Sequence, residues 1–187
     1  TSLVRLATLA EEAITLVRLD RDTGQIDLID RTPQDLELSC DADRIVQVLV
    51  NLLRNAADAI STSRRESGAM LFETTPPGTQ REASSIVISA ERSFRDGRDW
   101  VSISVSDNGP GIDPLILPRL FEPFVSTRLD SKGTGLGLAV ADGIVREHGG
   151  LILPRNRQDS PGAVFEVMLP LSPPERAEAP GFADTHP

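Results

Sequence analysis

The sequence predicts an α/β two-layer sandwich (an α+β fold), in which a mostly antiparallel, mixed sheet carries its helices on one face. Two observations support this class: some segments place apolar residues at helical spacing, and shorter segments alternate apolar and polar residues as half-buried strands do. A third is size, because 187 residues, 39% of them apolar, can bury a substantial core. Residues 1–171 are therefore predicted to form one domain.

The first part of the chain contains two predicted helices and a strand. Apolar residues recur at helical spacing across 3–19, which predicts an amphipathic helix, and the alternation over 25–30 predicts a short strand. Asp41 is a suitable N-cap for a long helix over 42–60. The next segment, 61–84, contains turn residues without apolar periodicity, and it is predicted to be a loop insertion.

The later elements are predicted strands around one more helix. Residues 85–91 and 100–107 alternate apolar and polar residues, which predicts an antiparallel hairpin with residues between them as its connection. A further helix ends at Gly149–Gly150, because glycines suit a helix C-cap. Two more strands, over 151–154 and 162–171, complete the predicted sheet.

Charge, cysteine content and chain ends argue against several classes of protein. A net charge of −9 disfavours a general nucleic-acid binder, and a single cysteine, Cys40, excludes an intrachain disulfide and a cysteine-based zinc site. No run approaches the ~20 apolar residues of a membrane span, and no signal peptide is recognisable. The missing initiator Met suggests a piece of a longer protein. A cytoplasmic location is expected for this piece, with a membrane anchor elsewhere in the full-length protein as the open alternative. The tail, 172–187, holds four prolines and few apolar residues and is predicted to be disordered.

The predicted helix over 42–60 has two distinct faces. An apolar stripe, predicted to bury against the sheet, consists of Ile45, Leu49, Leu52, Ala56 and Ile60. A polar stripe at i, i+4, i+8 and i+11 consists of Gln47, Asn51, Asn55 and Asp58. A solvated face would ordinarily use Lys, Glu or Arg, because Asn is a mediocre helix former. Neutral amide oxygens suit Mg²⁺ beside phosphate oxygens, so the stripe favours a magnesium site over the alternative of a solvated face.

Two glycine-containing segments favour a nucleotide ligand. In "VSDNGPGI", Asp107 ends a predicted strand, where its carboxylate can accept a hydrogen bond from an exocyclic amine such as that of adenine. Gly109 and Gly111 permit close approach of a ligand, although Asp-Asn-Gly is also an ordinary turn sequence. In "KGTGLGLAV", three alternate glycines precede a helix whose N-terminal N–H groups and dipole favour a phosphate.

The stretch between these two segments is too long for an ordinary connection, which predicts a functional lid over 112–134. Phe121 and Phe124 can anchor such a lid or form a small apolar cluster beneath a loop. Arg128 and Lys132 can bring positive charge to phosphates, the alternative being solvated loop charges.

The order of these motifs resembles the N, G1, F and G2 boxes of two-component sensor histidine kinases. The motifs are Asn-x-x-x-Asn-Ala, Asp-x-Gly-x-Gly, Phe-x-Pro-Phe and Gly-Thr-Gly-Leu-Gly-Leu. The resemblance covers roughly residues 3–171 and is to the catalytic, ATP-binding domain, whose Bergerat fold is shared with gyrase-type (GHKL) ATPases. The lid sequence is most similar to that of the nitrogen-regulator type.

The resemblance implies binding of Mg-ATP and transfer of its γ-phosphate to a histidine. Asn55 would coordinate Mg²⁺, Asn51 would support the phosphate side, and Asp107 would bind the adenine amino group. The resemblance implies a catalytic set of four residues: Asn51, Asn55, Arg128 and Lys132. The implied ATP-binding residues are Asn55, Asp58, Asp107, Gly109, Gly111, Ile112, Phe121, Phe124, Thr127, Arg128, Lys132, Gly133, Thr134, Gly135, Leu136, Gly137 and Leu138.

The sequence departs from the family pattern in three places. His148 and His186 are the only histidines and neither lies in a phosphoacceptor motif, so this chain alone is not expected to autophosphorylate. His148 is instead predicted to be a helix-end residue. Arg128 stands where relatives often carry Lys, and the two differ in how they bind phosphate. The insertion over 61–84 is longer than the family pattern predicts.

Two other functions remain possible on the sequence. GHKL-type ATPases resemble one another in placing a Glu one helical turn before the magnesium Asn, whereas Asn51 here cannot accept a proton as a general base. A non-catalytic nucleotide-binding scaffold is disfavoured by the intact Asn55 and Asp107. The expected partners are ATP or ADP, the phosphoacceptor domain of the same protein and a response regulator, with no nucleic acid or membrane contact. This chain is expected to be a monomer and the full-length protein a homodimer.

Overall fold

Seven strands and three helices make up the part of the chain that is described. The computed structural model describes residues 1–20, 23, 25–70, 83–124 and 135–171, and for 66–70 the backbone alone. The elements in chain order are β1 (Ser2–Arg5), α1 (Leu6–Arg18), β2 (Asp27–Arg31), β3 (Glu37–Cys40), α2 (Ala42–Met70), β4 (Ser85–Arg95), β5 (Arg98–Asp107), a 3₁₀ turn (Leu117–Arg119), α3 (Gly137–Glu147), β6 (Leu151–Asn156) and β7 (Ala163–Pro170). None of the helices within these ranges has the length and apolar character needed to cross a bilayer.

The main sheet has five strands in the order β2-β4-β5-β7-β6. Its pairs are antiparallel except for β2 with β4, which is parallel. Inward-facing residues of β4 and β5 join residues of all three helices in one hydrophobic core. This confirms the predicted fold class, a mostly antiparallel, mixed sheet with a helical layer. β1 and β3 form a separate antiparallel pair.

The long helix α2 anchors the helical layer to the sheet. All five residues of its predicted apolar stripe are buried, at 3% exposure or less. Asp41 caps the helix as predicted, because its Oδ1 accepts a hydrogen bond from Arg44 N at 3.3 Å and its carbonyl accepts one from Ile45 N at 3.0 Å.

The prediction that a helix begins at residue 3 is wrong. Residues Ser2–Arg5 form β1, which pairs with the unpredicted strand β3, and α1 begins at Leu6. Leu3 is 66% exposed because it lies on the strand rather than on the buried face of the helix. Backbone pairing with a distant strand outweighed the local helical spacing, which Leu3 satisfied by chance.

The prediction of a loop over 61–84 is wrong for its first ten residues. Helix α2 continues to Met70, past the point where its apolar stripe ends at Ile60. The extension has no proline and no glycine before Gly68, and its residues are compatible with a helix. Arg64 Nη1 holds it to the Gln25 carbonyl at 3.4 Å. The remainder, 71–82, and the tail, 172–187, lie outside the described residues.

The β4–β5 hairpin is longer than predicted and has a tighter turn. Both strands continue to Arg95 and Arg98, so the residues predicted as a connection are paired. Asp96 and Gly97 make the turn with φ of 52° and 75°. Two positive φ values in succession are typical of the type I′ turn that an Asp-Gly pair favours, and this signal was overlooked in the sequence.

The C-terminus of α3 is capped by two glycines, as predicted. Gly149 N donates to the Arg146 carbonyl and Gly150 N to the Val145 carbonyl, both at 2.9 Å, and Gly149 has a φ of 74°. This is the Schellman arrangement. A Cβ atom added to Gly150 would lie 2.2 Å from the Met168 carbonyl oxygen, so α3 meets β7 at a position that admits only glycine.

Gly150→Ala is expected to lower the free energy of unfolding by about 2–3 kcal/mol, because the backbone of β7 must move to admit the methyl group. The matched control is Gly143→Ala, within α3, where an added Cβ meets nothing within 4 Å. The control is expected to raise stability by about 0.5–1 kcal/mol, since alanine is the better helix former. Urea denaturation measures both, and equal effects at the two positions would contradict this account.

Candidate functional site

The site is organised around a carboxylate at the end of a central strand. Asp107, the last residue of β5, is 3% exposed. Its Oδ1 accepts hydrogen bonds from Gly109 N at 2.8 Å and Ala163 N at 3.4 Å. Since both bonds from the described residues end on Oδ1, Oδ2 is the oxygen left to accept a hydrogen bond from a ligand.

Burial raises the pKa of Asp107 above the ordinary carboxyl value, because desolvation penalises its charged form. The bonds from Gly109 and Ala163 and the charge of Arg157 lower the pKa and offset part of this effect. A buried carboxylate held by two backbone donors is a strong hydrogen-bond acceptor. It therefore suits a ligand that presents a donor, such as an exocyclic amine.

Two glycines leave the room that Asp107 needs. A Cβ atom on Gly109 would lie 2.9 Å from Asp107 Oδ1 and 3.2 Å from Ile60 Cγ1 of α2. A Cβ atom on Gly162, before β7, would lie 2.0 Å from the Asp107 carbonyl oxygen. Gly109 was expected to admit a ligand, and in the structure it admits the carboxylate and the helix. Gly162 was missed because nothing in its local sequence marks it.

Asn108 fastens the same segment to the start of β4. Its Oδ1 accepts from Ser85 N at 2.9 Å, its Nδ2 donates to the Ala83 carbonyl at 2.8 Å, and its own N donates to the Ser85 carbonyl at 3.3 Å. Asn108 therefore has a structural role, as expected if Asp-Asn-Gly is an ordinary turn sequence.

Beyond Gly109, the chain is held by a second asparagine. Gly111 has a φ of 84°, in the region that favours glycine. Ile112 N donates to Asn156 Oδ1 at 2.6 Å, and Asn156 Nδ2 donates to the Ile112 carbonyl at 2.8 Å. This reciprocal pair joins the segment after β5 to the end of β6. No sequence motif pointed to Asn156.

The polar stripe of α2 lies partly against α3. Asn51 Nδ2 donates to the carbonyl of Gly137, the first residue of α3, at 3.0 Å. Asn55 and Asp58 are half-buried farther along, and Gln47 is exposed. The described residues offer the Asn55 amide no hydrogen bond, whereas Asp58 does have an interaction partner. Asn51 thus fixes the beginning of α3.

The opposite end of α3 is fixed to the beginning of α2. His148 Nε2 accepts from Asp41 N at 3.2 Å, and its Nδ1 lies 2.8 Å from the Ile144 carbonyl. These two contacts require the neutral tautomer with the proton on Nδ1. Arg44 and Glu147 add an ion pair beside them. His148 is therefore a structural helix-end residue.

A residue in the middle of the predicted lid bonds to the residue that follows the lid. Phe124 N donates to the Gly135 carbonyl at 3.2 Å, and Phe124 has a φ of 66°, unusual for a bulky residue. Phe121 packs against the core, while Phe124 is 77% exposed, so the two rings do not form one cluster. Leu138 also packs against the core, and Leu136 is partly exposed. The other predicted lid residues, Thr127, Arg128, Lys132, Gly133 and Thr134, lie outside the described residues.

The structure thus brings the predicted residues into two groups. One is the segment after β5, with Asp107, Gly109, Gly111 and Ile112; the other is the α2–α3 junction, with Asn51, Asn55 and Gly137. The contact of Gly109 with Ile60 joins them through α2. Within the described ranges, no group of three or more His, Cys, Asp or Glu side chains could hold a metal ion. A cation here would depend on amide and ligand oxygens.

Known proteins with similar sequences are sensor kinases. Residues 40–173 match the family described as "Histidine kinase-, DNA gyrase B-, and HSP90-like ATPase". The two-component sensor PprA of Pseudomonas aeruginosa is 42% identical over 136 residues, which are 73% of this chain and 13% of PprA. The sensory histidine kinase/phosphatase NtrB of Escherichia coli O157:H7 is 37% identical over 163 residues, which are 87% of this chain and 42% of NtrB.

Solved structures of similar fold include the catalytic domain of the histidine kinase ThkA. It is 31% identical with a TM-score of 0.68, over 92% of this chain and 98% of that domain. ThkA in complex with the response regulator protein TrrA matches at 29% identity and a TM-score of 0.67, over 94% of this chain and 43% of the ThkA chain. The chain therefore spans a whole solved domain, but less than half the length of PprA or NtrB.

Asp107→Asn is expected to change how the stability of the domain depends on pH. In the wild type, the unfolded state loses its carboxyl proton near the ordinary value of 3.8, while the native state retains it to higher pH. The contribution of Asp107 to the free energy of unfolding therefore falls as pH rises from 3.8 through the raised pKa, and it is constant above that. The asparagine keeps the Oδ1 acceptor but does not titrate.

Urea denaturation of both proteins from about pH 4 to pH 8 measures the difference. Stability of the wild type relative to the variant should decline as pH rises from 3.8 to the raised pKa of Asp107 and stay constant above it. A difference that stays constant, or that grows with pH, would show that Asp107 is not penalised by burial.

Proposed function

The chain belongs to the family of histidine kinase-, DNA gyrase B- and HSP90-like ATPases, as a histidine kinase catalytic domain, and from that premise we propose that it binds Mg-ATP and donates the γ-phosphate to a histidine on a separate phosphoacceptor domain. The nitrogen of the acceptor imidazole bonds to the γ-phosphorus, the bond from that phosphorus to the β-phosphate oxygen breaks, and ADP and the imidazole proton leave.

The observation that carries the proposal is the buried Asp107 carboxylate, whose Oδ2 accepts no hydrogen bond from the residues that the structure describes. An amino group of adenine is the donor that this acceptor suits, and a base lacking that group would leave a buried acceptor unpaired. Gly109, Gly111 and Ile112 belong to the segment that follows Asp107, and they are proposed to complete the pocket for the base.

Asn55 is the proposed magnesium ligand. Its half-buried amide has no hydrogen-bond partner among the described residues, and it lies one helical turn beyond Asn51. A single amide oxygen fits Mg²⁺, which keeps several waters and is completed by phosphate oxygens. The bound ion would neutralise charge on the β- and γ-phosphates. Asp58 is proposed to border this part of the pocket.

The phosphates are proposed to lie beside the N-terminus of α3. Asn51 holds Gly137 in place there, so the first N–H groups of the helix keep a fixed direction. Gly133, Gly135, Leu136 and Leu138 are proposed to surround the phosphates with Thr127 and Thr134, and Arg128 and Lys132 to contribute positive charge. Phosphoryl transfer needs mainly positioning and charge stabilisation, which these groups supply.

The acceptor histidine is proposed to lie on another domain of the same protein. His148 uses both ring nitrogens to join α2 to α3, so it cannot serve as acceptor without loss of that junction. A response regulator is the proposed next partner, by analogy with the ThkA–TrrA complex. The full-length protein is proposed to be a homodimer and this chain a monomer.

Two alternative functions are less well supported. A GHKL-type ATPase needs a general base to activate water, one helical turn before the magnesium ligand. Here that position is Asn51, which donates to the Gly137 carbonyl and cannot accept a proton. A non-catalytic, degenerate scaffold would be expected to lose some of the motif residues, whereas Asn55, Asp107 and the three lid glycines are all present. Both alternatives make different predictions in a phosphotransfer assay.

Calorimetric titration with ADP, with and without Mg²⁺, tests the binding site. Asp107→Asn is expected to weaken binding at least about tenfold in both conditions, because the asparagine amide opposes the adenine amine with a second donor. Asn55→Asp is expected to weaken binding without Mg²⁺, by repelling phosphate, and to enlarge the gain on adding Mg²⁺. Wild-type affinity in Asp107→Asn would remove the base pocket from this position, and an unchanged magnesium dependence would remove Asn55 from the metal site.

Incubation of the full-length protein with γ-labelled ATP tests the reaction. An acid-labile phosphohistidine is expected on the full-length protein and none on this chain alone. Release of labelled phosphate without labelled protein would favour the ATPase. Nucleotide binding with neither product would favour the scaffold.

A further inference from the structure

The end of β6 supports the segment that carries the proposed base pocket. Asn156, the last residue of β6, exchanges two hydrogen bonds with the backbone of Ile112, at 2.6 Å and 2.8 Å. The next residue, Arg157, places Nη1 3.5 Å from the Asp107 carbonyl oxygen, and its own N donates to the Gly162 carbonyl at 3.0 Å. Two adjacent residues thus contact both ends of the segment 107–112.

The geometry at Asn156 leaves little freedom to that segment. A Cβ atom on Gly111 would lie 2.9 Å from Asn156 Oδ1, so the asparagine side chain closes directly over the glycine. Gly111 holds a φ of 84°, a conformation that needs support from its neighbours. The two bonds to Ile112 supply that support on the side away from Asp107.

We propose that Asn156 is a positioning residue for adenine recognition, because its paired hydrogen bonds with Ile112 hold the segment from Asp107 to Ile112 in its binding conformation before the nucleotide arrives. The role rests on the proposed function. Asn156 acts through the backbone of Ile112 rather than by touching the nucleotide. Without the pair, part of the binding free energy would be spent on ordering the segment.

The exposure of Asn156 makes this role testable without unfolding the domain. Asn156 is exposed, so its removal leaves no buried polar side chain without a partner. A purely structural residue would change the fraction of folded protein, and it would weaken every nucleotide equally. Loss of a positioning residue for the adenine pocket should instead reduce the preference for ADP over GDP. That preference is a ratio of two dissociation constants, so it does not depend on the fraction of folded protein.

The experiment measures ADP and GDP dissociation constants by calorimetry for the wild type, Asn156→Ala and Arg155→Ala. Asn156→Ala is expected to bind ADP roughly five- to tenfold more weakly, about the effect of one lost hydrogen bond, and to bind GDP almost as the wild type does. Arg155 precedes it on the same strand, is exposed, and points to the other face of the sheet, so Arg155→Ala should leave both constants unchanged.

Asn156→Asp is the second variant, of equal size, which keeps the acceptor for Ile112 N but loses the donor to the Ile112 carbonyl. It is expected to lose part of the ADP preference while remaining folded by circular dichroism. Wild-type ADP and GDP constants in both Asn156 variants would overturn the positioning role while leaving the proposed function intact. Failure of the wild type itself to bind ADP would overturn the proposed function and this role together.

Discussion

The structure depends on accommodating a buried carboxylate at the end of its central strand. Asp107 is held by the backbone of Gly109 and by the start of β7 at Ala163, and Gly109 in turn lies close to Ile60 of α2. Each neighbour is constrained in turn, because a side chain at Gly109 or Gly162 would collide with Asp107. The end of β5, the segment that follows it and the start of β7 are therefore joined at one acceptor, and its Oδ2 accepts no hydrogen bond from the described residues.

The polar stripe of α2 joins this helix to α3, and we propose that it also offers a ligand to a metal ion. Asn51 bonds to the first residue of α3, and His148 at the other end of α3 bonds to the residue before α2. Both ends of α3 are thus joined to the N-terminal part of α2, and Asn55 lies one helical turn beyond Asn51. Asparagine suits both tasks, because its amide can donate to a carbonyl in one place and offer a neutral oxygen in another.

Features specified by neighbouring residues could be predicted from the sequence, and features specified by distant residues could not. The apolar stripe of α2, its cap at Asp41 and the glycines after α3 follow from short-range spacing. Strand β1 was missed because its partner, β3, lies more than thirty residues away, and Asn156 because the backbone it holds is 44 positions distant. The extension of α2 past Ile60 was missed for another reason: a polar helix outside the core has no periodicity to reveal it.

The one parallel pair in the main sheet has a consequence for the order in which the fold assembles. The β5–β7 pair closes a long loop that contains α3 and β6. Strand β4 meets β5 through a two-residue turn and β6 meets β7 across residues 157–162, so these two antiparallel contacts close short loops. Asp27 of β2, by contrast, pairs with Ser85, and everything from β3 to the end of α2 lies between them. Closing so long a loop costs chain entropy before any contact repays it. Pairing of the edge strand β2 is therefore expected to follow the docking of α2, which couples completion of this edge of the sheet to the helix that carries the asparagines.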